Sequence, residues 1–415
     1  MPESLVPGTP QTWKVTTLGE LCASGGGNIQ TGPFGSQLHA ADYVTQGIPS
    51  VMPQNIGDNV IKEEGIARIA PEDAFRLEKY LLAPGDIVYS RRGDIEKRAL
   101  VRETQRGWLC GTGCLRVRPG VGANSEFISY YLGHPSVREW IVKHAVGATM
   151  PNLNTKILSS LPVSVPPLNE QVSIASTLGA LDNKITVNKQ IVSTYESLLA
   201  TEFEQLIRIE AGAEQDIALA NEFVEFNPKY QKPSDPTSRH VNMAALPTSS
   251  ARVHTWDFRK PTPGTRFQNG DTLLARITPC LENGKTAFVD FMDDNETGIG
   301  STEFIVMRSL PGVPQHFSYL LARNKRFREH AISNMIGTSG RQRCPADRLP
   351  GFSMKRPDPT ELERIGKDSD VAFAHMRSLD SEAYILAELR DTLLPKLISG
   401  ELRVKDAEKR VSDAV

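Results

Sequence analysis

Two windows of the chain are rich in cations. Residues 87–118 hold Arg91, Arg92, Lys97, Arg98, Arg102, Arg106, Arg116 and Arg118 against Asp94, Glu96 and Glu103. Residues 323–356 hold Arg323, Lys325, Arg326, Arg328, Arg341, Arg343, Arg348, Lys355 and Arg356 against Glu329 and Asp347. Cations gathered this way can neutralise phosphates. Three polar loops add a second kind of chemistry. Loop 30–38 carries Gln30, Thr31, Phe34, Ser36 and Gln37; loop 147–154 carries Thr149, Asn152 and Asn154; loop 337–343 carries Thr338, Arg341 and Arg343. Amides and guanidinium groups can pair in two-pronged fashion with adenine and guanine edges in a major groove. Small residues let such a loop come close to a duplex. Each feature also has a plainer reading: the charges as unrelated solvated faces, the loops as turn chemistry.

Enzymatic signatures are missing. There is no G-x-x-x-x-G-K-[ST] phosphate loop and no H-E-x-x-H. Gly25-Gly26-Gly27 reads as a flexible loop, not a dinucleotide fingerprint. Asn227-Pro228-Lys229-Tyr230 resembles an amino-methyltransferase motif but lacks its second proline, and reads as a loop after Phe226. Asp94, Glu96 and Lys97 are close in sequence, as a magnesium-dependent nuclease would need. Alternate residues of one strand, however, face opposite ways, so a solvated turn is expected. Cys110 and Cys114 bracket Gly-Thr-Gly with no histidine nearby, which argues against zinc. No catalytic centre, no metal and no directly bound cofactor are expected.

The chain has 415 residues, with 47 Lys plus Arg against 49 Asp plus Glu, for a net charge of −2. That length suits two or three domains, and 39% hydrophobic with 23% charged residues is ordinary for a globular protein. The near-zero total argues at first against nucleic acid. Yet the acidic excess lies elsewhere, in 196–225, 290–296 and 358–391, so the total hides a local bias. No apolar run reaches a membrane-spanning length, and residues 1–13 lack the basic start and apolar centre of a secretory signal. Five scattered cysteines read as reduced thiols of a cytoplasmic protein.

The elements that must carry these residues repeat with a period near 190. The sequence 82–88 resembles 267–273, each with a Gly-Asp turn before a strand-like run that ends in arginine: Arg91-Arg92 in one copy, Arg276 in the other. Likewise 115–120 resembles 304–312, 126–132 resembles 316–321, and Val146-Gly147-Ala148-Thr149 resembles Ile336-Gly337-Thr338-Ser339. Strands are expected at 48–52, 86–90, 98–102, 272–277, 286–291 and 303–308, and amphipathic helices at 125–145 and 315–335. A long helix follows each copy. Apolar residues at 168, 172, 175, 178, 181, 185, 192, 195, 199, 203 and 206, with Asn188 on the same line, form a seam of period close to 3.5. The second seam runs through Phe373, Met376, Leu379, Ala383, Leu386 and Leu393. Asp358 suits its N-cap, Pro359 its first turn and Gly400 its end. The second helical stretch reads as about one heptad longer. Residues 210–217 read as a polar linker.

These parts meet in one resemblance. Three passages carry it: 29–38 with Ile48-Pro49-Ser50-Val51-Met52-Pro53-Gln54-Asn55-Ile56; 161–171 with Leu181-Asp182-Asn183-Lys184-Ile185; and 393–402. The chain resembles the DNA-specificity (S) subunit of type I restriction–modification systems over nearly its whole length. The second copy departs more, reading Thr360-Glu361-Leu362-Glu363 where the first has Leu168-Asn169-Glu170-Gln171. The resemblance implies an α+β fold: two mixed α/β target-recognition domains separated by two long antiparallel conserved helices that act as a ruler. The expected divisions are 1–166, 167–210, 211–357 and 358–415. It implies that double-stranded DNA with a bipartite, asymmetric target is bound, that modification (methyltransferase) and restriction (endonuclease/translocase) subunits dock, and that S-adenosylmethionine, ATP and magnesium belong to those partners. The DNA-contacting candidates are then Gln30, Thr31, Phe34, Ser36, Gln37, Gln54, Asn55, Arg91, Arg92, Lys97, Thr149, Asn152, Asn154, Arg276, Thr338, Arg341 and Arg343. The helix-seam and partner-interface candidates are Leu178, Leu181, Ile185, Asn188, Val192, Leu199, Met376, Leu379, Leu386 and Leu393. A two-lobed coiled-coil adaptor that binds no DNA is the competing expectation.

Overall fold

The computed structural model describes residues 3–147, 151–210, 212, 216–233, 236–293, 295–338 and 340–414. The chain forms two compact units, Met1–Lys184 with Ile385–Val415, and Ile185–Tyr384. The fold is α+β, with mixed sheets in each unit and two long helices, Leu168–Ile207 (the central helix) and Pro359–Ile398 (the distal helix). Among the described residues no helix is long and apolar enough to cross a membrane.

The sheets repeat as the sequence does. In the first unit a sheet runs in the order Asn28–Thr31, Cys114–Arg118, Ile87–Ser90, Arg98–Leu100, Asp58–Asn59. In the second the order is Val224–Phe226, Phe304–Ser309, Asp271–Ala275, Thr286–Phe288. The strand after the Gly-Asp turn is central in both, pairing Tyr89 with Leu115 and Leu274 with Ile305. The turn itself needs glycine, because Gly85 and Gly270 hold φ of 89° and 85°. The following aspartate closes it: Asp86 accepts from the Ala83 N–H at 2.8 Å, and Asp271 from Gln268 at 2.7 Å. Both carboxylates are buried, and each pairs with an arginine of the neighbouring strand, Arg118 at 2.6 Å and Arg308 at 2.7 Å. Burial pushes the Asp271 carboxyl up to about 6, against the opposing pull of its hydrogen bonds and of Arg308. A terminal strand pair closes each lobe, Lys14–Thr17 on Pro162–Val165 and Ile217–Leu219 on Ser353–Lys355.

Three expectations change. The stretch 125–145 is two helices, Ser125–Leu132 and Pro135–His144. Gly133 ends the first, and Pro135, which has no N–H to donate, starts the second. Residues 315–335 break likewise at Asn324, whose side chain accepts from the Phe327 N–H at 3.1 Å and caps Lys325–Ser333. The two long helices are both 40 residues, so the extra heptad is not there.

The central seam is buried from Ala175 through Leu178, Leu181, Ile185, Asn188, Val192, Leu199, Phe203 and Leu206, with Tyr195 half-buried. Leu168 and Val172 are exposed instead. The buried Gln171 side chain ties the helix start to the Pro166 carbonyl and the Asn124 N–H, which turns those two residues outward. On the distal helix Phe373, Met376, Leu379, Ala383, Leu386 and Leu393 are all buried. The two helices run antiparallel. In the second unit Asn188 meets Leu379 and Glu382, Tyr195 meets His375, and Glu202 meets Arg364. In the first, Arg390 donates to Asp182 at 2.7 Å. Asp358 caps the distal helix, accepting from the Thr360 N–H at 2.8 Å, and Gly400 with φ of 73° lies just past its end.

Candidate nucleic-acid interface

Beyond the central strand of each unit the chain runs into arginine, and the structure pairs that arginine with a distant loop. In the first unit Arg91 donates its N–H to Gly113, and its carbonyl accepts from Leu153 at 2.9 Å. Arg92 bridges to Asn152, and Asn152 bridges to Val146. In the second unit Arg276 donates to Glu303, and its carbonyl accepts from Cys344 at 2.9 Å. Ile277 bridges to Arg343, and Arg343 to Ile336. Each unit thus holds the same small antiparallel ladder, built from the arginine end of the central strand and the glycine loop about 60 residues on. Gly147 and Gly337, with φ of 115° and 123°, turn the loop at equivalent places.

The described candidates of the first unit fall into three groups. Arg91, Arg92, Phe34 and Asn152 are brought together: the Arg91 guanidinium lies 6.0 Å from the Phe34 ring centre, and its Nε donates to Asn152 at 3.4 Å. Phe34 is 55% exposed and Arg92 is exposed. Lys97 is exposed and paired with Asp94 at 2.8 Å in a turn. Ser36 and Gln54 are exposed, and Thr31 is half-buried on its strand. The others hold their own loops. Gln30 accepts from Arg116 at 2.9 Å, and Gln37 accepts from the Tyr80 hydroxyl and the Phe34 N–H. Asn55 is buried, bonding Lys62 and Met52, so its amide braces a turn rather than facing out. Asn154 caps the helix Thr155–Ser160 by accepting from Ile157 at 2.9 Å. Thr149 lies outside the described residues.

In the second unit Thr338 and Arg341 are exposed on the loop. Arg343 is held by the Glu303 carboxylate at 2.7 Å, which raises its guanidinium above the ordinary range. Arg276 is half-buried. The ten seam residues lie inside this chain, so their side chains are not a surface for a partner protein.

The basic windows thin out in three dimensions. Arg98 is buried on Asp58 and the Ser129 carbonyl and Arg116 on Asn28 and Gln30, while the half-buried Arg118 is held by Asp86. Arg102 pairs with Glu126 and Arg106 with Glu103. In the second window Arg323 donates to two carbonyls, Lys325 pairs with Glu329, and Arg356 with Asp216 and Glu222. What stays at the ladders is a small cationic group in each unit. The sequence reading passed over two residues at those ladders, Val146 and Ile336, although both stand in its repeat, each directly before glycine. They are 63% and 65% exposed. Asn227-Pro228-Lys229-Tyr230 is structural: Asn227 accepts from the Val306 N–H, and the Tyr230 hydroxyl donates to Asp271 at 2.9 Å.

The family described as "Type I restriction modification DNA specificity domain" matches residues 10–195. The type I restriction enzyme EcoEI specificity subunit of Escherichia coli is 26% identical over 305 residues, 69% of this chain and 48% of that protein. The EcoAI specificity subunit of Escherichia coli is 31% identical over 150 residues, 34% of this chain and 25% of that protein. The chain therefore spans a quarter to about half of the length of these curated relatives. A crystal structure of a type I restriction–modification S subunit from M. genitalium shares the fold, with a TM-score of 0.58 and 15% identity over 94% of this chain and 98% of that one. Residues 10–195 thus match the type I restriction modification DNA specificity domain, and the chain is similar to the specificity subunits of type I restriction–modification systems.

Proposed function

We propose that the chain reads double-stranded DNA at a bipartite, asymmetric target, one part with each unit, and carries the modification and restriction subunits of a type I complex. The observation that supports this most is the doubled ladder. Each unit places arginine beside a glycine-turned polar loop at the same point of its fold. The side chains around the two ladders differ: Phe34, Arg91, Arg92 and Asn152 in one, Arg276, Thr338, Arg341 and Arg343 in the other. Unlike side chains read unlike base edges, so the two parts of the target differ. The chain itself binds no S-adenosylmethionine, ATP or magnesium in this reading; those belong to its partners, and the 40-residue helices link the two readers.

Methylome sequencing of a host carrying the chain with its modification subunits tests the reading. A split motif of two unlike parts is expected. Arg92→Ala and Arg341→Ala should each weaken target binding by about 1–3 kcal/mol if the residue reads a base. Absence of any duplex binding by the assembled complex, across a range of salt, would favour the adaptor reading instead.

A further inference from the structure

We propose that Val146 and Ile336 are base-contacting residues, each meeting the 5-methyl group of a thymine in the major groove. The inference rests on the DNA reading above and names a contact within it.

The ladders carry the argument. In an antiparallel ladder, directly opposed residues project their side chains to the same face, with Cβ atoms about 5 Å apart. Arg92, Asn152 and Val146 are opposed in this way, and so are Ile277, Arg343 and Ile336. The pairing is made by the Asn152 N–H to Val146 at 2.9 Å and the Arg343 N–H to Ile336 at 2.9 Å. Val146 therefore shares a row with an amide and a guanidinium, and Ile336 with a guanidinium. Both are β-branched, and at 63% and 65% exposure neither contributes to its own core. Exposure of one such residue is ordinary. Its recurrence at the same register, before a glycine of the same positive φ, in two copies that have otherwise diverged, is a second and separate observation.

Charge fixes the occupant. The same rows hold exposed Arg92 and, beside Ile336, Arg341 and Arg343, which suit a polyanion. A two-stranded ribbon fits the major groove, where the thymine methyl is the apolar group among the base edges. A row with a guanidinium, an amide and a β-branched tip matches a guanine edge, an adenine edge and that methyl.

The test uses the full chain assembled with its modification subunits on its own target. Each thymine of the target is replaced in turn by uracil, which lacks the methyl, and binding is followed by fluorescence anisotropy. Wild type should lose about fourfold in affinity at one thymine in each part of the target, the equivalent of about 0.8 kcal/mol for a methyl-sized apolar contact. Val146→Ala should abolish that sensitivity in one part only, and Ile336→Ala in the other only, with unchanged melting temperatures confirming that both variants fold. The proposal is overturned if wild type tolerates uracil throughout, if both sensitivities persist in the variants, or if a variant weakens random and target duplex equally. A part with no thymine on either strand overturns it for that repeat. Wild type with no preference for its target over random duplex would bring down the DNA reading itself.

Discussion

Arg118 and Arg308 look in the sequence like members of two basic patches, and each proves to hold a buried aspartate. Removing Arg118 would leave Asp86 charged and buried with only its turn hydrogen bond. Breaking a buried pair costs about 3–5 kcal/mol. Because Arg118 is itself over a third exposed, Arg118→Ala should fall at the low end, and Asp86→Ala, which removes the buried charge, should cost less. Denaturant midpoints of the two variants check the order; equal or reversed costs would show that Asp86 is not dependent on its partner. Counting charge by window missed these roles because each partner lies 32 or 37 residues away, and no local count distinguishes a paired arginine from an exposed one. His316 gives a pH prediction. It is buried against Phe288 and Phe373, ring centres 4.6 and 3.9 Å away, with Nδ1 3.0 Å from the Asp370 carboxylate, and Asp290 and Arg377 line the same cleft. Burial pushes its imidazole down to about 4, despite Asp370. In the unfolded chain it titrates near 6.5, so between those values the unfolded state binds the extra proton. Its stabilising contribution is present above about pH 6.5 and is lost as pH falls toward 4. The stability of the second unit should drop across that window by at most about 1.4 kcal/mol per pH unit, and His316→Phe should remove that slope. An unchanged pH profile in the variant would assign the drop to other groups.

The long helices were the most legible elements, because a seam repeated over ten turns is hard to produce by chance and both stretches carry apolar steps of three and four. What local pattern could not supply was the break at 133–135 and at Asn324, where capping overrides periodicity, and the outward turn of Leu168 and Val172, which depends on Gln171 reaching Asn124, 47 residues back. The bridges of Val146 to Asn152 and of Ile336 to Arg343 were also hidden, since one bridge pair is too short to show a period. Asn188 is the polar exception in the seam. Its amide nitrogen donates to Glu382 at 2.8 Å and to the Leu379 carbonyl at 3.4 Å. A polar residue at such a position specifies register at a cost in stability. Asn188→Ala should destabilise the second unit by about 1–3 kcal/mol, through lost hydrogen bonds to a buried site. A double-mutant cycle with Glu382→Ala should give a coupling of at least about 0.5 kcal/mol. Additive effects would mean that Asn188 is tolerated at the seam without setting its register.

At the scale of the whole molecule, a net charge of −2 is a quantitative constraint on how the chain would bind DNA in the proposed reading. Most of the cations in the two basic windows are paired or buried, and the ladders keep at most Arg91, Arg92, Lys97, Arg276, Arg341 and Arg343 for phosphates or bases. Each phosphate neutralised contributes about −0.9 to the slope of log Kobs against log salt concentration. Six contacts would give a slope of about −5, and fewer are expected because Lys97 and Arg343 already hold carboxylates. The isolated chain should therefore bind random duplex weakly, with a slope shallower than about −5 between 50 and 200 mM salt. Arg92→Ala and Arg341→Ala should each flatten it by about 1 if the residue contacts a phosphate, and leave it unchanged if the residue reads a base. Anisotropy titrations at four salt concentrations separate those cases. A slope well beyond −5 would place the main phosphate contacts on a basic surface outside the ladders. With so little non-specific attraction, discrimination in the proposed reading must come from the fit of the two ladders to their bases. Shallow salt dependence together with a strong preference for the target is the combined result that this charge distribution requires of the proposed reading.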